Sequence, residues 1–136
     1  MVWGGYKFYK GRVYRPRLEA GITGTVDLQG SNIVLTWEAS LKNVGSSKVD
    51  VRDKGTGLRV YSARVASGVA KAQAVDWDRH ATIPVFEKHE WIESDEAIED
   101  ADSLYIPRDA VRSLKLDLRV VSEGIEWNET EVIDVK

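Results

Sequence analysis

The sequence predicts an all-β domain built as an antiparallel sandwich, and three features predict it. Ile33, Leu35, Trp37, Ala39 and Leu41 fall on one side of a two-residue alternation, with Thr36, Glu38, Ser40 and Lys42 on the other. Leu114, Leu116, Leu118 and Val120 alternate in the same way with Lys115, Asp117 and Arg119. Each run is the pattern of a strand with one face buried and the other wet. Clusters of Gly, Asn, Ser and Asp separate the candidate strands at spacings of roughly ten to fifteen residues, the rhythm of turns in a sandwich.

A chain of 136 residues fits one domain. It buries roughly two-thirds of the surface that its unfolded form exposes, so a core alone suffices to hold it. The absence of cysteine excludes disulfides, thiolate metal sites and thiol nucleophiles. No run approaches the ~18 apolar residues of a membrane span, and there is no signal-peptide core. The net charge of −3 is unevenly spread. Residues 1–17 hold Lys7, Lys10, Arg12, Arg15 and Arg17 and no acid; the other 14 of the 19 bases share residues 18–136 with all 22 acids. The chain therefore divides into a basic, aromatic arm at 1–16 and a single, acidic sandwich domain at 17–136.

Leu18, Ala20 and Ile22, then Thr25 to Leu28, form a first strand expected to bend or bulge at Gly21 or Gly24. Gln29 to Asn32 turns the chain into the strand that carries Trp37. Asn43-Val44-Gly45-Ser46-Ser47 reverses it, since Asn and Gly tolerate positive φ and Ser bonds nearby backbone. Val49 and Val51 resume the alternation. Leu58, Val60 and Ser62 either form a separate strand or continue the same ribbon across a bulge, and residues 64–74 read as a loop. Residues 74–78 and 81–86 read as two short strands, with Pro84 confining the second to an edge or a bulge. Glu93, Asp95, Glu96, Glu99, Asp100 and Asp102 crowd one stretch that has no base. Ser94 could cap a short helix there, but the β-like Leu104-Tyr105-Ile106-Pro107 run favours a turn into a strand. Ser122-Glu123-Gly124 signals a hairpin. Residues 125–135 make a last strand with a polar break at Asn128-Glu129-Thr130. The tally is seven to eight strands, which points to an immunoglobulin-like antiparallel sandwich, with a small barrel as the competing architecture.

Leu35-Thr36-Trp37-Glu38-Ala39-Ser40-Leu41-Lys42-Asn43-Val44-Gly45-Ser46-Ser47 resembles the strand and Asn-x-Gly turn of bacterial and archaeal sandwich modules of the CARDB and fibronectin-III-like groups. Trp91 to Glu96 is similar to their later turn, with Ser94-Asp95 where those modules more often carry Pro-Gly. The resemblance covers about a third of the chain. It implies a binding or structural module and carries no catalytic residue across.

No residue pattern specifies an enzyme. His80 and His89 lack the i+2 or i+4 partner that aims two imidazoles at one metal, and read as exposed loop histidines. Asp76 and Asp78 could join the later acids in an oxygen cage for calcium, but the regular loop spacing is missing, so a solvated acidic face is the plainer reading. No Gly-x-Ser-x-Gly elbow occurs, and Gly55-Thr56-Gly57 is not a phosphate loop. No catalytic residue, cofactor or metal is therefore expected. Trp37, Trp77 and Trp127 read as core; Trp3 and Trp91 are freer, and a cluster of exposed tryptophans would mark a carbohydrate-binding face.

The arm holds the remaining clue. Trp3, Tyr6, Lys7, Phe8, Tyr9, Lys10 and Arg12 mix rings with bases. They read as an ordinary tail, as a juxtamembrane segment on the cytoplasmic side of a membrane, or as a nucleic-acid contact, which the acidic body opposes. The expectation is a non-enzymatic interaction domain with a protein partner; under the juxtamembrane reading of the arm it is the soluble part of a membrane-anchored protein and faces the cytoplasm. The alternatives are a carbohydrate-binding module and, further off, a carboxylate-dependent hydrolase.

Overall fold

The computed structural model describes residues 17–51, 54–66, 68–69 and 75–135. In chain order the strands are β1 (Leu18–Gln29), β2 (Asn32–Asn43), β3 (Val49–Asp50), β4 (Gly57–Ala63), β5 (Asp78–Ile83), β6 (Trp91–Ile92), β7 (Ala97–Pro107), β8 (Ser113–Ser122) and β9 (Ile125–Asp134). One sheet has the order β1-β2-β7, the other β5-β4-β8-β9, and β3 pairs with β6 in a two-stranded ribbon. All pairings are antiparallel. β2 pairs with β7 in one layer while β4 pairs with β8 in the other. That crossing of connections between layers is the immunoglobulin-like arrangement, as the alternation predicts. Among the described residues the count is nine; β3 falls in the piece where Val49 and Val51 resume the alternation, and β6, two residues long, is too short to show a period.

Alternation explains both layers. Ile33, Leu35, Trp37, Ala39 and Leu41 of β2 are buried, and the intervening residues from Thr36 to Lys42 are exposed. Leu114, Leu116, Leu118 and Val120 of β8 are fully buried opposite them. The two inner faces form a single apolar cluster. Burying each such aliphatic side chain contributes about 1.5–3 kcal/mol, and this is the term that sets strand register.

Three local expectations are corrected, and two open ones are resolved. β1 neither bends out of register nor bulges at Gly21 or Gly24; it pairs with β2 residue for residue from Leu18–Asn43 to Gln29–Asn32. Gly24 serves close approach instead, since a Cβ there would lie 2.6 Å from Leu116 Cδ1 and 2.7 Å from Ile133 Cδ1. The bulge falls between Val60 and Tyr61, where β4 meets β5. The two short strands expected at 74–78 and 81–86 are one strand, β5, which stops before Pro84 at the edge of its sheet, where a missing N–H does no harm. β9 has no break at 128–130, because an edge strand with a wet face accommodates polar residues. The Leu58–Ala63 segment is separate from β3 and lies in the other layer. Of the segment read as a loop, residues 64–66 and 68–69 are described, and Gly68 and Val69 have helical backbone.

Two turns need their residues. Glu123 and Gly124 both have positive φ (50° and 80°), the hairpin geometry that matches strand twist, and they bring Ser122 opposite Ile125. Asn43 is fully buried at the end of β2. Its Nδ2 donates to Ser47 O at 2.7 Å and Ile92 O at 3.1 Å, while its Oδ1 accepts from Gly45 N at 2.9 Å. Its backbone N–H and C=O bond Glu96 O and Asp95 N. The acidic stretch is thus a tight turn entering β7, with Asp95 at φ 69° and no helix, as the β-like run after it predicts.

Candidate functional site: the free edge of β7

β7 is the outer strand of its sheet and, among the described residues, pairs only with β2. Its core-facing positions are Ile98, Asp100, Asp102, Leu104 and Ile106, by the register with Leu41, Ala39, Trp37, Leu35 and Ile33. Two carboxylates therefore interrupt an otherwise apolar face. They do so at the sheet edge, where they can turn outward.

The carboxylates cap the edge. Ala101 N donates to Asp100 Oδ1 at 3.0 Å and Ser103 N to Asp102 Oδ1 at 2.8 Å, both in exposed surroundings. Alternate N–H groups of an edge strand face away from the sheet, so Ala101 and Ser103 mark the open side of β7. Among the described residues, each is satisfied only by the side chain of the preceding residue. Asp100 does more: its Oδ2 accepts from Phe86 N at 3.0 Å, tying the loop after β5 to β7 across the gap between layers. Phe86 is buried at φ 59°, an unusual conformation for a bulky residue, and His89 N closes the turn onto Phe86 O at 3.0 Å.

Beside this loop, at the β7 edge, lies an open cleft of about 200 Å³. Trp37, Pro84 and Phe86 give it apolar walls; Glu87, Glu99, Asp100 and Asp102 set four carboxylates against the single ammonium of Lys88, with His89 beside them. Trp37 is only 2% exposed, and its Nε1 has no hydrogen-bond acceptor among the described residues. A buried donor left unmatched costs about 1–3 kcal/mol, so this indole stands ready for an oxygen.

The opposite layer presents a different outer surface. Lys115 Nζ sits 4.6 Å from the Tyr61 ring centre and 5.1 Å from that of Trp77. Arg79 is across from Tyr61, and Arg59 and Arg119 lie on the same face. Arg119 Nε approaches Glu126 Oε2 at 3.4 Å without hydrogen-bond alignment, so it ranks both as an ion pair and as an unmatched donor. At this exposure the attraction is screened.

The sequence-derived candidates that the structure describes are scattered. Trp3, Tyr6, Lys7, Phe8, Tyr9, Lys10 and Arg12 lie outside the described residues. His80 is exposed on β5 and not in a loop, and His89 is half-buried at the cleft wall. Asp78 is on β5, in the other layer from Glu99, Asp100 and Asp102, and among the described residues no three His, Cys, Asp or Glu side chains are grouped to hold a metal ion. Trp77 and Trp127 are half-buried. Among the described residues the exposed aromatics do not gather. Trp91 has Lys48 Nζ 4.4 Å over its ring and donates to Glu93 at 2.7 Å. Tyr105, 61% exposed, lies far along β7, eight residues or roughly 26 Å beyond Ala97. Sequence reasoning passed over Phe86 and treated Trp37 as scaffold alone. The visible signal was the Ile98-x-Asp100-x-Asp102-x-Leu104 spacing, an apolar alternation broken by two acids.

No protein-family model matches this chain, and no curated protein matches its sequence. Among solved structures it is similar to the X-ray structure of Northeast Structural Genomics Consortium target SoR45, with a TM-score of 0.50 and 10% identity over 88% of this chain and 86% of that one. At that identity the likeness speaks for the fold alone.

Proposed function

We propose that this chain is a non-enzymatic interaction module that binds a protein partner through a sheet edge, a sandwich of the CARDB and fibronectin-III-like kind. The observation that carries the reading is β7: eleven residues long, at a sheet edge, with the outward N–H groups of Ala101 and Ser103 held, among the described residues, only by neighbouring side chains. Exposed edges are a hazard that proteins blunt, or a surface that they use for strand addition. A photoreactive residue in place of Ser103, in cells producing the full chain, is expected to form an adduct with a protein. The same residue in place of Thr130, on β9, is the control and is expected to form none. Equal adducts, or none from either, would overturn the reading.

The same reading makes the arm a membrane-proximal segment, with Trp3, Tyr6, Phe8 and Tyr9 at the interface and Lys7, Lys10 and Arg12 toward anionic headgroups on the cytoplasmic side. No helix among the described residues is long and apolar enough to cross a membrane. The full chain is expected to float with vesicles containing anionic lipid and to lose this when the three bases become Gln. Failure to float would remove the membrane from the proposal and leave the edge untouched.

A further inference from the structure

We infer that the β7 edge takes an extended partner strand bearing Lys or Arg, and that Asp102 works as its latch. The inference rests on the interaction reading above and deepens it, by naming the partner's chemistry. In the free protein the Asp102 carboxylate holds Ser103 N and the Asp100 carboxylate holds Ala101 N. These are local bonds in exposed surroundings. A backbone carbonyl at each N–H reproduces them in strand geometry, so an added strand replaces what it removes.

Replacement frees the Asp102 carboxylate and one oxygen of Asp100, and the freed oxygens select the partner. With four acids and one lysine around the adjoining cleft, the local field favours a cation and repels an acidic strand. The second observation is Trp37. It lies directly across from Asp102 in the β2–β7 register, both residues line the cleft, and its buried Nε1 has no acceptor among the described residues. When Asp102 releases Ser103 N, its carboxylate swings inward to accept from Trp37 Nε1 with one oxygen and to meet the partner's cation with the other. One edge thus has two states, and the partner binds only the open one. Asp100 stays partly engaged, since its Oδ2 remains tied to Phe86 N.

The test uses the full chain, isotope-labelled, with two synthetic peptides of equal length that alternate Lys with Thr or Glu with Thr. The Lys peptide is expected to bind, to shift and protect the amides of Ala101 and Ser103, and to move the indole N–H signal of Trp37. The Glu peptide is expected to do none of these. Asp102→Asn keeps an oxygen for Ser103 N but removes the charge, and is expected to weaken Lys-peptide binding about tenfold. Ser103→Pro removes the donor at an edge position that tolerates proline, and is expected to abolish binding. Equal binding of the two peptides, or a Trp37 signal that does not move, would overturn the inference. Lys-peptide shifts confined to the Arg59–Lys115 face would overturn it too, while leaving the interaction reading in place. Amides at 101 and 103 already protected in the peptide-free chain would assign the edge to the chain's own basic arm and overturn an external partner. The photoreactive adduct at position 103 tests the broader reading separately.

Discussion

The backbone N–H of Phe86 donates to Asp100 Oδ2 at 3.0 Å, and this bond joins the loop after β5 to the edge of the other sheet. It holds Phe86 at φ 59° with its ring buried. Left-handed backbone costs a non-glycine residue about 1–2 kcal/mol, and burying a phenyl ring returns more, since its loss to alanine costs about 3–5 kcal/mol. Phe86→Gly is therefore expected to destabilise the protein although it relieves the backbone. Asp100→Ala removes the charge-assisted bond and is expected to cost about 1.5–3 kcal/mol in urea unfolding. Faster amide exchange is expected at Phe86 and His89 but not in β8. Unchanged exchange at Phe86 would show that the ring alone holds the loop.

Asn43 ties three segments together from a fully buried position, and its chemistry makes a pH prediction. Its Nδ2 donates to two carbonyls, Ser47 O and Ile92 O. Asn43→Asp keeps the shape but sets an oxygen against those carbonyls, so burial and repulsion raise the new carboxyl's folded pKa above the unfolded value of about 3.9. A raised acid pKa means the folded state holds the proton longer. The penalty is therefore smallest below the unfolded pKa and grows as pH rises through the folded one. The variant is expected to be destabilised at neutral pH and to recover part of the loss on acidification, relative to wild type at each pH. Asn43→Ala should show a loss of about 2–4 kcal/mol, from two orphaned carbonyls and a freed Gly45 N–H, with no such recovery.

Gly24 and Gly21 lie three residues apart on β1 and should respond differently to alanine. At Gly24 the new methyl meets Leu116 and Ile133 at 2.6 and 2.7 Å, where Leu116 is fully buried among close-packed neighbours. At Gly21 it meets only Ser40 Oγ at 2.8 Å, on the exposed face, where the hydroxyl can rotate away. Overpacking a core costs about 1–3 kcal/mol, so Gly24→Ala is expected to lower the melting temperature and Gly21→Ala to leave it nearly unchanged. Shortening the obstacle with Ile133→Val should restore part of the Gly24→Ala loss. Equal melting of the two alanine variants would contradict the close approach of β1 to β8 and β9.

The contrast between β2 and β7 shows what the sequence makes legible. β2 and β8 alternate strictly, so their inner faces could be read off the chain, and the two-layer class followed. β7 was obscured because its acids suggested a solvated turn, when the period-2 face through Ile98, Leu104 and Ile106 continues beneath them. β3 and β6 pair across more than forty residues of chain with two residues each, a contact that no local pattern encodes. The candidate site was hidden for a related reason. Trp37 and Asp102 belong to different strands, and only the β2–β7 register places them opposite each other. Gly24 misled in a further way: a glycine in a strand can mean a bulge or a close neighbour, and the neighbour here comes from the other layer.

Lys115 stands between Tyr61 and Trp77 on the outer face of the four-stranded sheet, 4.6 and 5.1 Å from the two ring centres. Tyr61 is its direct cross-strand neighbour, so sheet geometry fixes that contact, whereas Trp77 precedes β5 and reaches it from outside the ladder. Cation–π pairs at such half-exposed sites are worth about 0.5–1 kcal/mol. A double-mutant cycle with Lys115→Gln and Tyr61→Leu is expected to give a coupling of that size. The Lys115→Gln and Trp77→Leu cycle should be smaller, because the Trp77 ring is farther away and is not held by strand pairing. Chemical denaturation of the six proteins checks both cycles. A larger coupling to Trp77 than to Tyr61 would mean that the indole is the principal partner of the ammonium, and that Trp77 is anchored to the sheet through Lys115.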